Sequence, residues 1–337
     1  VIALALPYSN LIFLVIPCTI FLQVLSSIMQ GTGNTKTPMY ALIAVNLLYL
    51  TMAIRKEDGT IAVNGAGKVR VRDSATPAMS VESTRLRELP PGAPVALVTG
   101  GGRGIGAAIA RRLAREGFSV AINYRASKAS AEQVVDEIHA LSGSALALQA
   151  DILDDSAVAA MVQEIGARFG RLDLLVNNAA PGYAARGVDS LTWNEVLVQL
   201  EASVRAPLTL SQALFPLLRQ SGGAIVNIIS QVVENAPPAH MLDYVLGKYG
   251  LLGLTRGLAV EWAGDGVRVN GVAPSLVETD MTSHFNSRVF KLEASRTPLK
   301  RIATPEDIAA AVSYLGGTAA AFITGVVLPV TGGQVML

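Results

Sequence analysis

From Val95 to the end of the chain, short and almost uninterrupted apolar runs alternate with segments that have the spacing of helices. Such runs are typical of strands buried on both faces of a parallel sheet. The segments between them are long enough for the helical crossovers that parallel strands need. The alternation therefore predicts an α/β fold, a doubly wound parallel sheet of about seven strands. The predicted strands are Val95–Thr99, Val120–Asn123, Ala145–Ala150, Leu172–Val176, Ala224–Ile229, Val267–Val272 and Val326–Val330.

The composition of the 337 residues excludes several kinds of site. Lys and Arg number 27 and Asp and Glu number 26, a formal net charge of +1. This balance gives no basic field that would attract a nucleic acid. The only cysteine is Cys18, so an internal disulfide framework and a multi-cysteine zinc site are excluded, and no metal site is predicted.

Charge is missing mainly from residues 1–54, where Lys36 is the only charged side chain. Leu11–Gln30 is long enough to cross a bilayer as a helix, and Met39–Ile54 is slightly shorter. We therefore expect one or two apolar helices, candidate transmembrane helices, before the α/β fold. The intervening run Gln30–Met39 resembles an inter-helix loop of multidrug and toxin extrusion transporters. Two helices cannot form a transport pathway, so this segment is interpreted as a transporter-like fragment or a fused anchor.

Residues 55–90 have the charge, glycine and proline content of a linker, which leaves 91–337 as the α/β domain. Five basic residues in the linker favour a cytoplasmic position for the chain after the second apolar run. The catalytic domain is therefore expected in the cytoplasm, with membrane attachment through 1–54. The five basic residues are Arg55, Lys56, Lys68, Arg70 and Arg72.

A glycine-rich loop, Thr99–Gly106, joins the first predicted strand to the helical segment Ala107–Glu116. Gly100, Gly104 and Gly106 would let the backbone turn sharply and approach a pyrophosphate, which the N-terminus of the helix would then bind. The position of this loop between a strand and a helix predicts a dinucleotide site. A simple tight turn between the strand and the helix is the alternative.

The end of the second strand indicates which dinucleotide is bound. An NAD site usually has an acidic residue there, whereas Ala121–Ser127 contains none. Arg125, and Arg103 in the glycine loop, could instead bind a 2′-phosphate. NADP is therefore favoured, NAD is not excluded, and both arginines could also be solvated surface residues.

Tyr244 and Lys248 are four residues apart, which places them on one face of a helix. A nearby ammonium favours the phenolate and lowers the pKa of a tyrosine towards the range useful for proton transfer. Ser230 ends a predicted strand 14 residues earlier, where its hydroxyl could hold a substrate oxygen beside Tyr244. These residue types suit proton transfer to or from a substrate oxygen.

Taken together, these motifs resemble the short-chain dehydrogenase/reductase family over about residues 92–337. The matching segments are Thr99–Gly106, Asn177–Ala179, Ser230, Tyr244 with Lys248, and Asn270–Pro274 leading to Thr279–Met281. The resemblance implies a single Rossmann-type domain with a substrate loop after the sixth strand. That loop is expected over Thr282–Pro298, where polar, apolar and basic residues are mixed.

The resemblance also implies residue roles. Tyr244 would be the general acid or base, Lys248 would lower its pKa and bind the nicotinamide ribose, and Ser230 would orient the carbonyl. Asp151 would lie at the adenine, Asn177 would stabilise the central strand beside the cofactor, and Thr279 would bond the carboxamide. The expected cofactor-binding residues are Thr99, Gly100, Arg103, Gly104, Ile105, Gly106, Arg125, Asp151, Ile152, Asn177, Ala179, Tyr244, Lys248, Pro274 and Thr279.

Three positions depart from the family pattern. Ser203 stands where the family usually has an Asn that helps hold a proton-relay water, and it is kept as a candidate catalytic residue. Ala180 and Ser275 replace glycines near the cofactor.

The expected function is NADP-dependent interconversion of a carbonyl and a secondary alcohol by hydride transfer, with 3-oxoacyl thioesters as candidate substrates. The alternatives are an NAD(P)-dependent sugar or steroid-type alcohol dehydrogenase, and a sensor on the same fold that binds the dinucleotide without turnover. The family also implies a homo-oligomer, either a tetramer or a dimer.

Overall fold

The computed structural model describes residues 92–182, 184–283 and 285–336. In these residues seven parallel strands form one sheet in the order β3-β2-β1-β4-β5-β6-β7. The predicted α/β fold with a doubly wound parallel sheet is confirmed. The strands are β1 (Val95–Val98), β2 (Ser119–Tyr124), β3 (Ser144–Gln149), β4 (Leu174–Asn177), β5 (Ala224–Ile228), β6 (Arg268–Pro274) and β7 (Val327–Val330).

Helices connect the strands and cover both faces of the sheet. The α-helices are α1 (Gly104–Arg115), α2 (Lys128–Ala140), α3 (Asp155–Phe169), α4 (Trp193–Leu200), α5 (Ala206–Ser221), α6 (Leu242–Trp262), α7 (Ser287–Arg296) and α8 (Pro305–Gly316). A π-helical segment, Glu201–Arg205, joins α4 to α5. Single 3₁₀ turns occur at Val188–Ser190, Gln231–Val233, Ala263–Asp265, Asp280–Thr282 and Thr318–Ala320.

Two apolar cores lie on opposite faces of the sheet because successive side chains of a strand point to opposite sides. Leu97 and Leu175 belong to one core, whereas Val98 and Val176 belong to the other, and all four are fully buried. Burial on both faces explains why these strands are apolar throughout rather than alternating.

The order of the strands reverses between β1 and β4. The chain moves outward through β1, β2 and β3, returns to β4 on the other side of β1, and then continues through β5 to β7. The crossovers leave a crevice beyond the carboxyl ends of β1 and β4, where ligands bind in open sheets of this type. The glycine loop follows β1, so it lies at this crevice.

Two boundaries differ from the prediction. Helix α1 begins at Gly104, inside the glycine loop, rather than at Ala107. The segment predicted as a loop over Thr282–Pro298 contains the ten-residue helix α7, which the Asn286 side chain caps by accepting a hydrogen bond from the backbone N–H of Arg288 (3.0 Å). None of the ten residues of α7 is buried, so this helix belongs to neither apolar core.

The described residues all lie in one compact unit of the chain, Met79–Leu337. Within those residues no helix is both long and apolar enough to span a membrane. The apolar helices predicted for 1–54 lie outside the described residues, and the predicted membrane attachment has no support from the structure.

Candidate active site

The glycine loop after β1 turns sharply and leaves no room for a side chain at Gly106. Gly100 and Gly104 have φ values of +61° and +52°, a backbone region that favours glycine. A Cβ atom on Gly106 would lie 2.3 Å from the carbonyl oxygen of Gly100 and 2.6 Å from Nδ2 of Asn178. The loop is therefore packed against itself, and it passes into the N-terminus of α1 with its free N–H groups.

A set of hydrogen bonds, here called the β1–β4 junction, ties this loop to the end of β4. The buried Thr99 hydroxyl accepts hydrogen bonds from the backbone N–H groups of Asn178 (2.9 Å) and Ala179 (3.0 Å), and donates to the carbonyl of Val176 (3.3 Å). The Asn178 side chain donates to the carbonyls of Thr99 (2.9 Å) and Gly100 (3.2 Å). The junction holds the two strand ends that border the crevice.

Asn123, near the end of β2, supports the other side of the loop. Its side-chain oxygen accepts from the N–H of Gly100 (3.4 Å), and its amide group donates to the carbonyl of Ala150 (3.0 Å) just beyond β3. Arg125 follows β2 and lies 4.0 Å from the carboxylate of Asp151. The Arg125 side chain is 73% exposed, so its guanidinium is open to a ligand.

The segment after β6 approaches the glycine loop from the opposite side. A Cβ on Gly104 would lie 3.4 Å from the methyl group of Thr279. Arg103 lies 4.0 Å from Asp280, the residue after Thr279. Pro274 ends β6 and begins this segment. The structure thus brings the predicted cofactor residues of the glycine loop and of the segment after β6 to the same crevice.

Ser230, Tyr244 and Lys248 converge at the carboxyl end of β5. Lys248 is 5% exposed, its Nζ donates to the carbonyl of Ile228 (2.8 Å), and it lies 5.6 Å from the centre of the Tyr244 ring. Ser230 is two residues beyond Ile228, and its hydroxyl accepts a 3.4 Å hydrogen bond from the N–H of Val232. Burial lowers the pKa of Lys248 to about 8, because desolvation disfavours the ammonium.

Helix α6, which carries Tyr244 and Lys248, is joined to the sheet by a chain of buried polar groups. Asn177 in β4 donates to Asn227 in β5 (2.8 Å), and Asn227 donates to the hydroxyl of Thr255 in α6 (2.8 Å). Thr255 in turn donates to the carbonyl of Leu251 (2.7 Å). Since buried polar groups are costly when unpaired, this chain helps to hold α6 in place on the sheet.

Ser203 lies in the π-helical segment and is buried against α6. A Cβ on Gly247, the residue before Lys248, would lie 3.1 Å from the Ser203 hydroxyl oxygen. The absence of a side chain at Gly247 therefore lets Ser203 come close to the helix of Tyr244 and Lys248. π-Helical turns within α-helices are frequent at functional sites.

The crevice suits a dinucleotide in three respects. The tightly packed glycines expose the backbone of the loop, α1 presents its N-terminus to the crevice, and no acidic side chain occurs between Tyr124 and Lys128 at the end of β2. Asp151 and Ile152 lie beyond β3 on the same edge. The glycine loop and the N-terminus of α1 thus form a surface that suits a pyrophosphate, and the exposed guanidinium of Arg125 follows the neighbouring strand β2.

Two residues of the site were not singled out in the sequence as binding or positioning residues. Asn178 was noted only as part of a motif, and Asn123 was taken as part of a strand. A buried polar side chain in an otherwise apolar strand is the signal that could have identified Asn123, because such a group needs a partner.

The packing of the glycine loop predicts a large effect of Gly106→Ala. The added methyl group would overlap backbone atoms of Gly100, so we expect a loss of about 1–3 kcal/mol in the free energy of unfolding, measured with urea, together with loss of dinucleotide binding. Gly166→Ala in α3, where the methyl group would have open space, is the matched control and should be neutral or stabilising by up to about 1 kcal/mol. Equal effects of the two substitutions would contradict the described packing.

The buried ammonium of Lys248 predicts a pH-dependent stability. The folded-state pKa of about 8 lies below the ordinary value of 10.5, so between these values the unfolded chain binds a proton that the folded chain has released. Stability relative to Lys248→Met should therefore rise with pH in this window, by about 3 kcal/mol in total. Urea unfolding of both proteins at pH 7.5 to 10.5 measures the difference. A difference that does not change with pH would show that Lys248 is not buried as an ammonium.

Comparisons with known proteins agree with this geometry. The family model described as enoyl-(acyl carrier protein) reductase matches residues 100–334, and the model described as MatE matches residues 1–54. The chain is 38% identical over 244 residues to the 3-oxoacyl-[acyl-carrier-protein] reductase FabG of Staphylococcus aureus strain Mu50, covering 72% of this chain and 98% of that protein. The resemblance of residues 1–54 to the transporter family is thus confirmed.

Solved structures give the same result. A short chain dehydrogenase from Burkholderia cenocepacia J2315 in complex with NADP is 39% identical, with a TM-score of 0.66 over 72% of this chain and 97% of that one. The 3-ketoacyl-(acyl-carrier-protein) reductase from Brucella melitensis, complexed with NADH, is 32% identical, with a TM-score of 0.67 over 72% of this chain and 98% of that one. Fold, site geometry and relatives agree, and the chain belongs to the short-chain dehydrogenase/reductase family of NAD(P)-dependent oxidoreductases.

Proposed function

We propose that this protein reduces the 3-oxo group of acyl thioesters to a 3-hydroxyl group with NADPH. The observation that carries the proposal is the convergence of Ser230, Tyr244 and Lys248 at the end of β5, beside the crevice that suits a dinucleotide. The similarity to 3-oxoacyl reductases from two bacteria supports the substrate class.

The residues of the crevice would hold the cofactor in a defined orientation. Backbone groups of Gly100, Gly104, Ile105 and Gly106 would bind the pyrophosphate at the N-terminus of α1. Arg103 and Arg125 would bind the 2′-phosphate, since each is exposed and its nearest carboxylate is 4.0 Å away. Such weakly held guanidinium groups can turn to a phosphate with little loss.

The remaining contacts would place the two rings. Asp151 and Ile152 would lie against the adenine, and Asn177, Ala179, Pro274 and Thr279 would border the nicotinamide. Thr99 would act through the β1–β4 junction rather than by touching the cofactor, because its hydroxyl is already engaged there. When bound, NADPH supplies a hydride to the carbonyl carbon.

Tyr244 would donate its phenolic proton to the carbonyl oxygen that becomes the hydroxyl. Ser230 would donate a hydrogen bond to the same oxygen and hold it beside the phenol. The Lys248 ammonium favours the phenolate that is left after proton transfer. With a pKa of about 8, Lys248 keeps its proton at neutral pH, so its charge is present when the phenolate forms.

Ser203 would act as a positioning residue in this scheme. It is 3% exposed and packs beside Gly247, so it can hold a water molecule or the helix itself near Lys248. A serine side chain is shorter than the usual asparagine, and the close approach allowed by Gly247 compensates for part of that difference.

The full-length protein should oxidise NADPH with S-acetoacetyl-N-acetylcysteamine, a 3-oxoacyl thioester. Activity with NADPH should exceed that with NADH by more than tenfold, or about 1.4 kcal/mol. The crotonyl thioester, which has a C=C bond but no 3-oxo group, and simple sugar or steroid alcohols with NADP⁺ serve as the comparison substrates. Faster turnover of any of these would replace the proposed substrate class, and cofactor binding without turnover would favour a sensor.

We also propose that a second copy of the chain covers a groove between α5 and α6. The groove has a volume of about 470 Å³, and Phe215 and Trp262 stack in it with ring centres 4.4 Å apart. Leu208 and Leu254 line it as well, and Val260, which is 80% exposed, lies on the same helix. Exposed apolar surface of this kind often marks a protein interface, which supports the predicted homo-oligomer.

Gly257→Glu tests this interface. Gly257 lines the groove and has open space for a Cβ, so the protomer should fold while a charge fills the groove. We expect the molar mass from light scattering to fall towards that of a smaller assembly. Gly166→Glu in α3, which also has open space and does not line the groove, is the control and should leave the mass unchanged. An unchanged mass in both variants would exclude this face as the interface.

A cytoplasmic location of the catalytic domain and membrane attachment through 1–54 also belong to this proposal. They depend on the apolar runs and the basic linker residues of the sequence. Fractionation of cells that produce the full chain tests both: recovery of all the protein in the soluble fraction would exclude the attachment.

A further inference from the structure

Helix α4 carries a buried carboxamide, Gln199, that contacts the helix of Tyr244 and Lys248. Gln199 is 3% exposed. A Cβ atom on Gly247 would lie 3.1 Å from the backbone carbonyl oxygen of Gln199 and 3.3 Å from its Cβ. Gly247 directly precedes Lys248 in the chain, so Gln199 packs against α6 at the turn that carries the buried ammonium.

The side chain of Gln199 connects this helix contact to the loop after β4. Its Nε2 donates a hydrogen bond to the carbonyl of Gly182 (3.1 Å). The same loop begins with Asn178 and Ala179, whose backbone N–H groups donate to the Thr99 hydroxyl in the β1–β4 junction. Gln199 therefore joins the segment that borders the cofactor crevice to the helix that carries Tyr244.

Stability alone does not account for a carboxamide at this position. The Oε1 of Gln199 is fully enclosed, out of reach of a ligand, and has no hydrogen-bond partner among the residues that the structure describes. The cost of an enclosed acceptor without a donor is comparable to the net gain from one hydrogen bond. A methionine would have the same length without the unpaired oxygen. The hydrogen bond from Nε2 is thus better explained by where it holds the loop than by how much it stabilises the fold.

The same loop has a second link to α4, through Arg186. The Arg186 guanidinium lies 2.7 Å from the carboxylate of Glu195, and its side chain is 49% exposed. An exposed ion pair of this kind contributes little because water and salt screen it. The backbone N–H of Arg186 also donates to the carbonyl of His240 (2.9 Å), a contact that does not depend on the Arg186 side chain.

We propose that Gln199 is a positioning residue for hydride transfer, which holds the loop after β4 and helix α6 at a fixed separation. This inference rests on the proposed function, in which Ala179 borders the nicotinamide and Tyr244 donates a proton to the carbonyl oxygen. The hydrogen bond to Gly182 then helps to set the distance that the hydride crosses, without contact between Gln199 and the reacting atoms. The rate is sensitive to this distance, since a displacement of about 1 Å can cost about 10²-fold.

Gln199→Met, which keeps the length of the side chain but has no N–H, tests the hydrogen bond. In a single turnover with saturating NADPH and S-acetoacetyl-N-acetylcysteamine, we expect hydride transfer per molecule of bound NADPH to slow by tenfold or more. The Kd for NADPH should stay within threefold of the wild-type value, because no contact with the cofactor is removed. Arg186→Met removes the exposed link between the same loop and the same helix, and as the matched control it should keep at least half of the wild-type rate.

Gln199→Glu adds a pH-dependent test of the same hydrogen bond. A carboxylate cannot donate to the Gly182 carbonyl, whereas a protonated carboxyl group can, and burial raises the pKa of a carboxyl group. The rate of Gln199→Glu relative to wild type should therefore rise by fivefold or more between pH 8 and pH 5.5. The rate of Gln199→Met relative to wild type should stay constant within twofold over the same range, since its side chain does not titrate.

A single-turnover rate of Gln199→Met close to that of wild type, a loss of NADPH affinity as large as the loss of rate, or an equal loss in Arg186→Met would overturn the inference. So would identical pH dependences of Gln199→Glu and Gln199→Met. If the wild-type protein does not reduce the thioester, the proposed function fails separately, and hydrogen exchange decides about Gln199. The amides of residues 178–182 should then exchange at least tenfold faster in NADPH-bound Gln199→Met than in NADPH-bound wild type or Arg186→Met, and equal exchange in all three would overturn the role of Gln199.

Discussion

The hydrogen bonds of the β1–β4 junction are the contacts on which the site depends. In a doubly wound sheet the crossovers leave β1 and β4 in opposite directions, so the crevice between their ends is open to solvent. Thr99 and Asn178 join the ends of the two strands at this point. The Thr99 hydroxyl accepts hydrogen bonds from two backbone N–H groups, and the Asn178 side-chain amide donates to two backbone carbonyls. Gly100 and Gly104 allow the backbone conformation of the glycine loop, but they also allow others. The hydrogen bonds of the junction hold the loop in this one.

A second set of contacts couples the cofactor side of the crevice to the proton-donating side. The chain from Asn177 through Asn227 to Thr255 joins β4, β5 and α6, and Lys248 joins the same helix to the end of β5. Each of these groups is buried, so the loss of one partner would leave another unpaired. These contacts therefore hold the helix that carries Tyr244 against the end of the strand that leads to Ser230.

The sequence predicted the sheet well because β1 to β6 are almost entirely buried and most of their residues are apolar. The observed ends of the strands differ from the predicted ends by one or two residues. In β2, for example, Ser119 and Tyr124 extend the strand and are still buried. Helix α7 was missed because its segment mixes polar, apolar and basic residues and was interpreted as the substrate loop that the family resemblance implies. The site motifs were found because their spacing is local, as with Tyr244 and Lys248. The partners of Asn178 could not be predicted, because they lie in a segment far away in the chain.

The proposed scheme assigns cofactor binding to the crevice and proton transfer to Tyr244, and one comparison separates the two. NADPH affinity and the single-turnover rate of hydride transfer to S-acetoacetyl-N-acetylcysteamine can be measured on the same preparations of wild-type protein and Tyr244→Phe. We expect a Kd for NADPH within about threefold of the wild-type value and a hydride-transfer rate lower by about 10²–10⁴-fold, the range that a positioned general acid contributes. A rate in Tyr244→Phe that remains close to the wild-type rate would contradict the role of Tyr244 as the proton donor.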